Sequence, residues 1–383
     1  MQQQATQQIV SRSGIALGRL QSSVVNARQR FLNPGPLVQA EKTPFEVIWQ
    51  EDIIRLRYYP PLKEVEIDIA GKKVPVRRTT HPVPLVLVSP LAVNMYIYDL
   101  FPDRSLVKYL RAQGFELYMI DWGVPSVRHN HFTLAVYYRD WMPKLLEQVR
   151  GHSGTEKLSL HGWSMGGLFS LCYTALGDEH IENLVLVGAP CDYHANGLLG
   201  KQYQKIARNL KWLEQKTGWK VHDTRKRWWR SPGWANALAF KMTSPVNSAK
   251  GYWELLKNLH REEYVVAHAT NGAFLDDMVA YPGATIQDVV QYLWVENSLA
   301  EGRLPQRSGK PLLKNVKANM LLICGEQDNI VNHDCSTAML QHVSAQDVTV
   351  VDVPGGHMGI LGGSKAPESI WPVVADWLAE RSR

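Results

Sequence analysis

From residue 44 onward, short apolar runs alternate with stretches in which apolar residues recur every three or four positions. Pro84-Leu85-Val86-Leu87-Val88 is apolar throughout, which predicts a strand buried on both faces. Ser105–Gln113 has helical spacing and is stopped by Gly114, and Phe115–Asp121 is the next apolar strand. The same reading predicts strands at Lys157–His161, Leu184–Val187, Met320–Cys324 and Val348–Val353. It predicts helices at Tyr137–Arg150, Met165–Leu176 and Ile370–Arg381, while Glu46–Tyr58 and Val65–Ile69 read as early strands. Strands separated by helices imply an α/β protein, with a mostly parallel central sheet and helices on both faces.

The rhythm breaks between residues 193 and 316, where the pattern is largely helical and unusually rich in tryptophan. Trp212, Trp219, Trp228, Trp229, Trp234, Trp253 and Trp294 fall there, seven of the 13 in the chain. This stretch joins two predicted core strands and reads as a cap inserted into one core domain, made of residues 44–192 and 317–383. Residues 1–43 form a third segment. It carries Arg12, Arg19, Arg28 and Arg30 but no acid before Glu41, and Ile9, Leu17, Leu20, Val24 and Val25 recur at near-helical spacing. A basic amphipathic helix is expected, packed on its own domain or frayed, with contact to an anionic surface or granule as the alternative.

Composition narrows the class without defining the chemistry. With 45% hydrophobic and 20% charged residues, a wholly disordered chain is excluded. The net charge of +6 is small for 383 residues and reads as a solvated surface, so no nucleic-acid partner is expected. Cys172, Cys191, Cys324 and Cys335 follow no C-x-x-C spacing. Neither a disulfide framework nor a metal site is expected, and a cytoplasmic location fits. No apolar run reaches the length of a membrane span, and no export signal is indicated.

The chemistry sits in Gly162-Trp163-Ser164-Met165-Gly166, extended by Gly167. A predicted strand runs into this G-x-S-x-G motif and a predicted helix leaves it, the context of a nucleophile elbow that presents a serine at the carboxyl end of a sheet. A serine hydroxyl is a weak nucleophile and needs a histidine base oriented by an acid. In such folds the acid and then the histidine follow the serine along the chain. Asp328 lies in the polar loop after Met320–Cys324, and His357 in the loop after Val348–Val353, so Ser164, Asp328 and His357 are the candidate triad. Asp334 and Asp352 are weaker candidates for the acid, and His333 and His161 read as structural neighbours. His129-Asn130-His131 reads as a polar loop. An oxyanion hole needs two backbone N–H groups. Met165 should supply one, and Leu91 or Ala92, in the loop after Pro84–Val88, the other.

Several stretches resemble the polyhydroxyalkanoate synthases, particularly the short catalytic subunits of the two-component, class III type. They include Leu91–Leu100, Pro102–Leu110 and Tyr118–Gly123, then Gly167–Tyr173, Pro190–His194 and Pro282–Leu304. The resemblance ends with Gly325-Glu326-Gln327-Asp328 and Gly356-His357, and covers most of residues 45–380. It implies an α/β-hydrolase core with a cap, and an acyl-enzyme formed from a hydroxyacyl-CoA. Asp328 and His357 match the family's positions, but Ser164 stands where the family has a nucleophilic cysteine. A serine ester is less activated than a thioester for transfer to the next hydroxyl. The expectation is therefore hydrolysis of a (hydroxy)acyl ester or thioester, with synthase-type acyl transfer as the alternative and a non-catalytic granule- or partner-binding homologue as a third reading. The substrate would be an acyl ester, a hydroxyacyl-CoA or a polyester, with no cofactor. A homodimer or association with a granule or membrane surface stays open. Asn94, Trp163, Trp228 and Trp229 are the candidate substrate-binding residues.

Overall fold

The computed structural model describes residues 18–242, 245–307, 310 and 312–382. Its strands are β1 (Glu46–Glu51), β2 (Ile54–Tyr59), β3 (Glu66–Ile69), β4 (Lys72–Pro75), β5 (Leu85–Val88), β6 (Asp99–Phe101) and β7 (Arg104–Ser105). These are followed by β8 (Leu117–Asp121), β9 (Leu158–Trp163), β10 (Ile181–Val187), β11 (Asn319–Gly325) and β12 (Val348–Val353). Eight of them form one sheet in the order β1-β2-β8-β5-β9-β10-β11-β12. From β8 to β12 every neighbouring pair is parallel, and the β1–β2 hairpin closes one edge antiparallel to β8.

Helices cover both faces, so that β5, β8 and β9 are buried at every position. Val86 and Val88 of β5 point into one core with Leu160, Leu168 and Phe169, while Leu85 and Leu87 point into another with Leu110, Trp371 and Leu378. The first face is covered by α3 (Met142–Ser153) and α4 (Met165–Thr174), the second by α2 (Leu106–Ala112) and the helix Trp371–Arg381. Ser105 accepts the Lys108 N–H at 3.0 Å and so caps α2, whose sequence is apolar on its buried face.

The chain between β10 and β11 holds α5 (Gly197–Thr217), α6 (Gly233–Met242), α7 (Pro245–Lys257), α8 (Glu262–Asp276) and α9 (Gly283–Asp288). Its tryptophans divide. Trp294 stacks on Tyr203 with ring centroids 5.0 Å apart, and Trp219 and Trp229 pack around Val221, Val290 and Val295. Trp212, Trp228, Trp234 and Trp253 are exposed. A helix, α1, runs over residues 18–32. It meets this region through Asn26, which donates to the Leu259 carbonyl at 2.7 Å, and Arg30, which donates to His268 at 3.1 Å. Leu20, Val24 and Val25 of α1 are exposed. Ile9, Arg12 and Leu17 lie outside the described residues. No helix among the described residues is long and apolar enough to cross a membrane.

One expectation needs correction. The single strand expected at Glu46–Tyr58 is the β1–β2 hairpin, turned at Asp52 with φ of 52°, where the sequence offers no glycine or proline as a signal. The strand expected at Val65–Ile69 is β3, which pairs with β4 in a separate two-stranded sheet. A shorter extension concerns β9, which continues past His161 to Trp163.

Candidate active site

Ser164 is the one residue between the end of β9 and the start of α4. Its φ of 55° and ψ of −123° place a non-glycine residue in a region that costs about 1–3 kcal/mol. The surroundings hold it there. The Ser164 N–H donates to the Val187 carbonyl at 2.9 Å, and Gly166 lets α4 lie directly against β5. A Cβ on Gly166 would sit 2.0 Å from the Val88 oxygen, so only glycine permits this approach.

His357 Nε2 lies 2.9 Å from Ser164 Oγ, and His357 Nδ1 lies 2.7 Å from Asp328 Oδ2. The Asp328 side chain is fully buried, and its other oxygen accepts the N–H groups of Ile330 and Val331 at 2.9 and 2.8 Å. An ionised carboxylate only accepts hydrogen bonds, so Nδ1 carries the proton and Nε2 offers its lone pair to the serine hydroxyl. The three groups come from the loops after β9, β11 and β12, at the carboxyl edge of the parallel strands, where α/β sheets place their ligands. Such a chain of contacts can draw the proton from a serine as its oxygen attacks a carbonyl.

The first N–H of α4 belongs to Met165 and has no carbonyl one turn behind it within the helix. Leu91 and Ala92 lie in the loop after β5. Ala92 has φ of 66°, and its carbonyl accepts the Val279 N–H at 2.8 Å. Asn94 accepts the Tyr96 N–H at 3.2 Å and donates to the carbonyls of Phe274 and Asp277 at 3.4 and 3.3 Å. The 91–94 loop is thus tied to the insertion at the end of α8. Leu91, Ala92 and Asn94 also wall a cavity of about 190 Å³ with Arg55, Arg57 and Asp121, and Ser164 is not among its walls.

The other expected substrate contacts fall elsewhere. Trp163 does not face the cleft: it is 2% exposed, and its indole N–H donates to the His357 carbonyl at 3.0 Å. Strand alternation explains this: Leu158 and Leu160 of β9 face one core, and Trp163, an odd number of positions further on, faces the other. Trp228 is exposed beside Arg225. Trp229 is packed, and its indole N–H donates to the Thr224 hydroxyl at 2.6 Å.

Among the competing groups, Asp352 lies 2.7 Å from His333, and Asp334 lies in the first turn of α10 (His333–Thr337). His161 is buried beside the elbow, and burial pushes its imidazole down to about 4, so it is neutral. His129 accepts the Ser126 N–H at 2.8 Å through Nδ1 and meets Asp52 at 3.0 Å through Nε2. Sequence reasoning missed Gly188, after β10, whose φ is +52°. A Cβ there would lie 3.3 Å from His357 Nδ1 and 3.4 Å from Asp328 Oδ2, so glycine leaves room for the pair. The apolar run Leu184–Val187 followed by Gly188-Ala189-Pro190 is the available signal.

Residues 84–364 match the α/β-hydrolase fold family. Among curated proteins, the chain is 30% identical over 347 residues to a poly(3-hydroxyalkanoate) polymerase subunit of Haloferax mediterranei, covering 90% of this chain and 65% of that one. It is 28% identical over 302 residues to the corresponding subunit of Allochromatium vinosum, covering 78% of this chain and 81% of that one. Among solved structures, a soluble variant of monoglyceride lipase from Saccharomyces cerevisiae superposes with a TM-score of 0.52 at 15% identity, covering 90% of this chain and 97% of the lipase, a likeness of fold. The chain belongs to the α/β-hydrolase fold family, and the curated proteins it is similar to are poly(3-hydroxyalkanoate) polymerase subunits.

Proposed function

We propose that the protein is an acyl-transfer enzyme with a serine nucleophile, hydrolysing a (hydroxy)acyl ester or thioester. Ser164 Oγ attacks the acyl carbon while His357 Nε2 takes its proton. The oxyanion is held by the Met165 N–H and an N–H of Leu91 or Ala92. His357 then returns the proton to the departing alcohol or thiol. Water, deprotonated by the same nitrogen, attacks the Ser164 ester and releases the acid, restoring the serine. Asp328 orients His357 throughout. Residues 193–316 act as a cap over this site. The observation that carries the reading is the 2.9 Å contact between Ser164 Oγ and a histidine that is itself fixed by a buried carboxylate.

A second reading, synthase-type transfer to a growing polyester, is favoured by the polymerase relatives over 90% of the chain. Supplying a 3-hydroxyacyl-CoA and following free CoA together with product size separates the two. Soluble hydroxy acid supports hydrolysis, and insoluble polymer overturns it. A serine-directed phosphonate should label Ser164. Absence of label on the folded protein would remove both enzyme readings.

A further inference from the structure

Cys324, His333 and Asp352 converge from three elements close to the candidate active site. Cys324 and Asp352 are register partners on β11 and β12, so their side chains leave the same face of the sheet. His333 opens α10, which packs against β11. One thiol sulfur, one imidazole nitrogen and one carboxylate oxygen all lie within 4.8 Å of one another. We propose that these three residues bind one divalent transition-metal ion of the zinc class, at a site separate from Ser164.

The donor set is the argument for the class. A thiolate with an imidazole and a carboxylate is a mixed soft and intermediate set that suits zinc or cobalt rather than magnesium or calcium, which take oxygen ligands. A tetrahedral ion with bonds of ~2.0–2.3 Å needs its ligand atoms ~3.3–3.8 Å apart, closer than the outer limit of the cluster. The required closure falls on the mobile partners. Cys324 is 1% exposed and fixed in a strand, while the side chains of His333 and Asp352 are 47% and 51% exposed and can swing toward the sulfur. The strand β12 is the edge of the sheet, so an ion reaches the site from solvent, and water completes the fourth position.

Binding exchanges one set of partners for another. The 2.7 Å contact between His333 and Asp352 gives way to two metal bonds. Burial holds the Cys324 thiol up at about 11, so the sulfur arrives as a thiol and releases its proton to solvent as the metal–sulfur bond forms. Because β11 and β12 lead directly into the loops that carry Asp328 and His357, the bound ion ties together the strands that set that pair.

The test uses the full chain, stripped with a chelator and titrated with Co2+, then with Zn2+ in competition. One Co2+ per chain is expected, with the near-ultraviolet charge-transfer band of a thiolate ligand, displacement by Zn2+, and a raised melting temperature. Cys324→Ser should lose the band. His333→Ala and Asp352→Ala, both changes at the surface, should each weaken Co2+ binding by at least ~10-fold, comparable to the loss of supporting groups at known metal sites. No saturable binding, or a band that survives in Cys324→Ser, would overturn the proposal. If Cys324→Ser does not fold, unchanged affinity in both surface variants overturns it equally.

Discussion

At Ser164 the backbone carries strain and the side chain carries the proposed chemistry, which makes the residue informative to change. Ser164→Ala should lower the rate of CoA release from a hydroxyacyl-CoA by at least ~10³-fold, with the far-ultraviolet circular dichroism unaltered. Ser164→Cys restores the nucleophile that the resemblance implies and should shift products from free acid toward oligomer, read by product size. Trp163 tests a subtler dependence. Trp163→Phe keeps most of the buried ring but leaves the His357 carbonyl without its donor, which should cost about 1–3 kcal/mol in chemical denaturation and lower kcat more than it changes KM. The sequence made Ser164, Asp328 and His357 legible because each sits at a fixed place in a local strand-and-loop pattern. Trp163 was misread because what its indole touches depends on a loop 194 positions away along the chain.

Among the elements, strands and helices of the core were readable wherever burial on both faces left an uninterrupted apolar run, as in β5, β8 and β11. The β1–β2 hairpin was not, since Glu51-Asp52 can end a strand or sit on its solvated face and only tertiary pairing decides between them. The glycines at element ends were partly legible. Gly166 belongs to a motif, whereas Gly188 lies in an unremarkable strand end and acquires its role from β11 and β12 arriving beside it. Gly188→Ala must hold an L-residue at φ of +52°, which costs roughly 1–2 kcal/mol, and brings its methyl against His357 Nδ1. The expected outcome is a modest fall in melting temperature with a much larger fall in turnover. Equal proportional losses in both would point to general unfolding instead.

For the whole molecule, acid sensitivity should be set in part by His161. Burial lowers its folded pKa from the ordinary 6.5 to about 4, so the unfolded chain binds the proton more readily. Its contribution to stability is fully present above about pH 6.5 and is lost as pH falls toward 4, a loss of about 3 kcal/mol by linkage. Urea unfolding across that interval should show the slope, and His161→Leu should flatten it. The position of the insertion has a kinetic consequence as well. Val187 and Ile323 are register partners on β10 and β11, one strand in from the β12 edge, yet the entire insertion lies between them. The entropy of closing so long a loop grows only as the logarithm of its length, so the native sheet is little weakened by it. The search for that pairing is slow, and contacts of high sequence separation delay folding. Refolding should therefore pass through a species in which β5, β8 and β9 have assembled while β10 still lacks its partner β11, leaving a bare apolar edge where a chaperone would act.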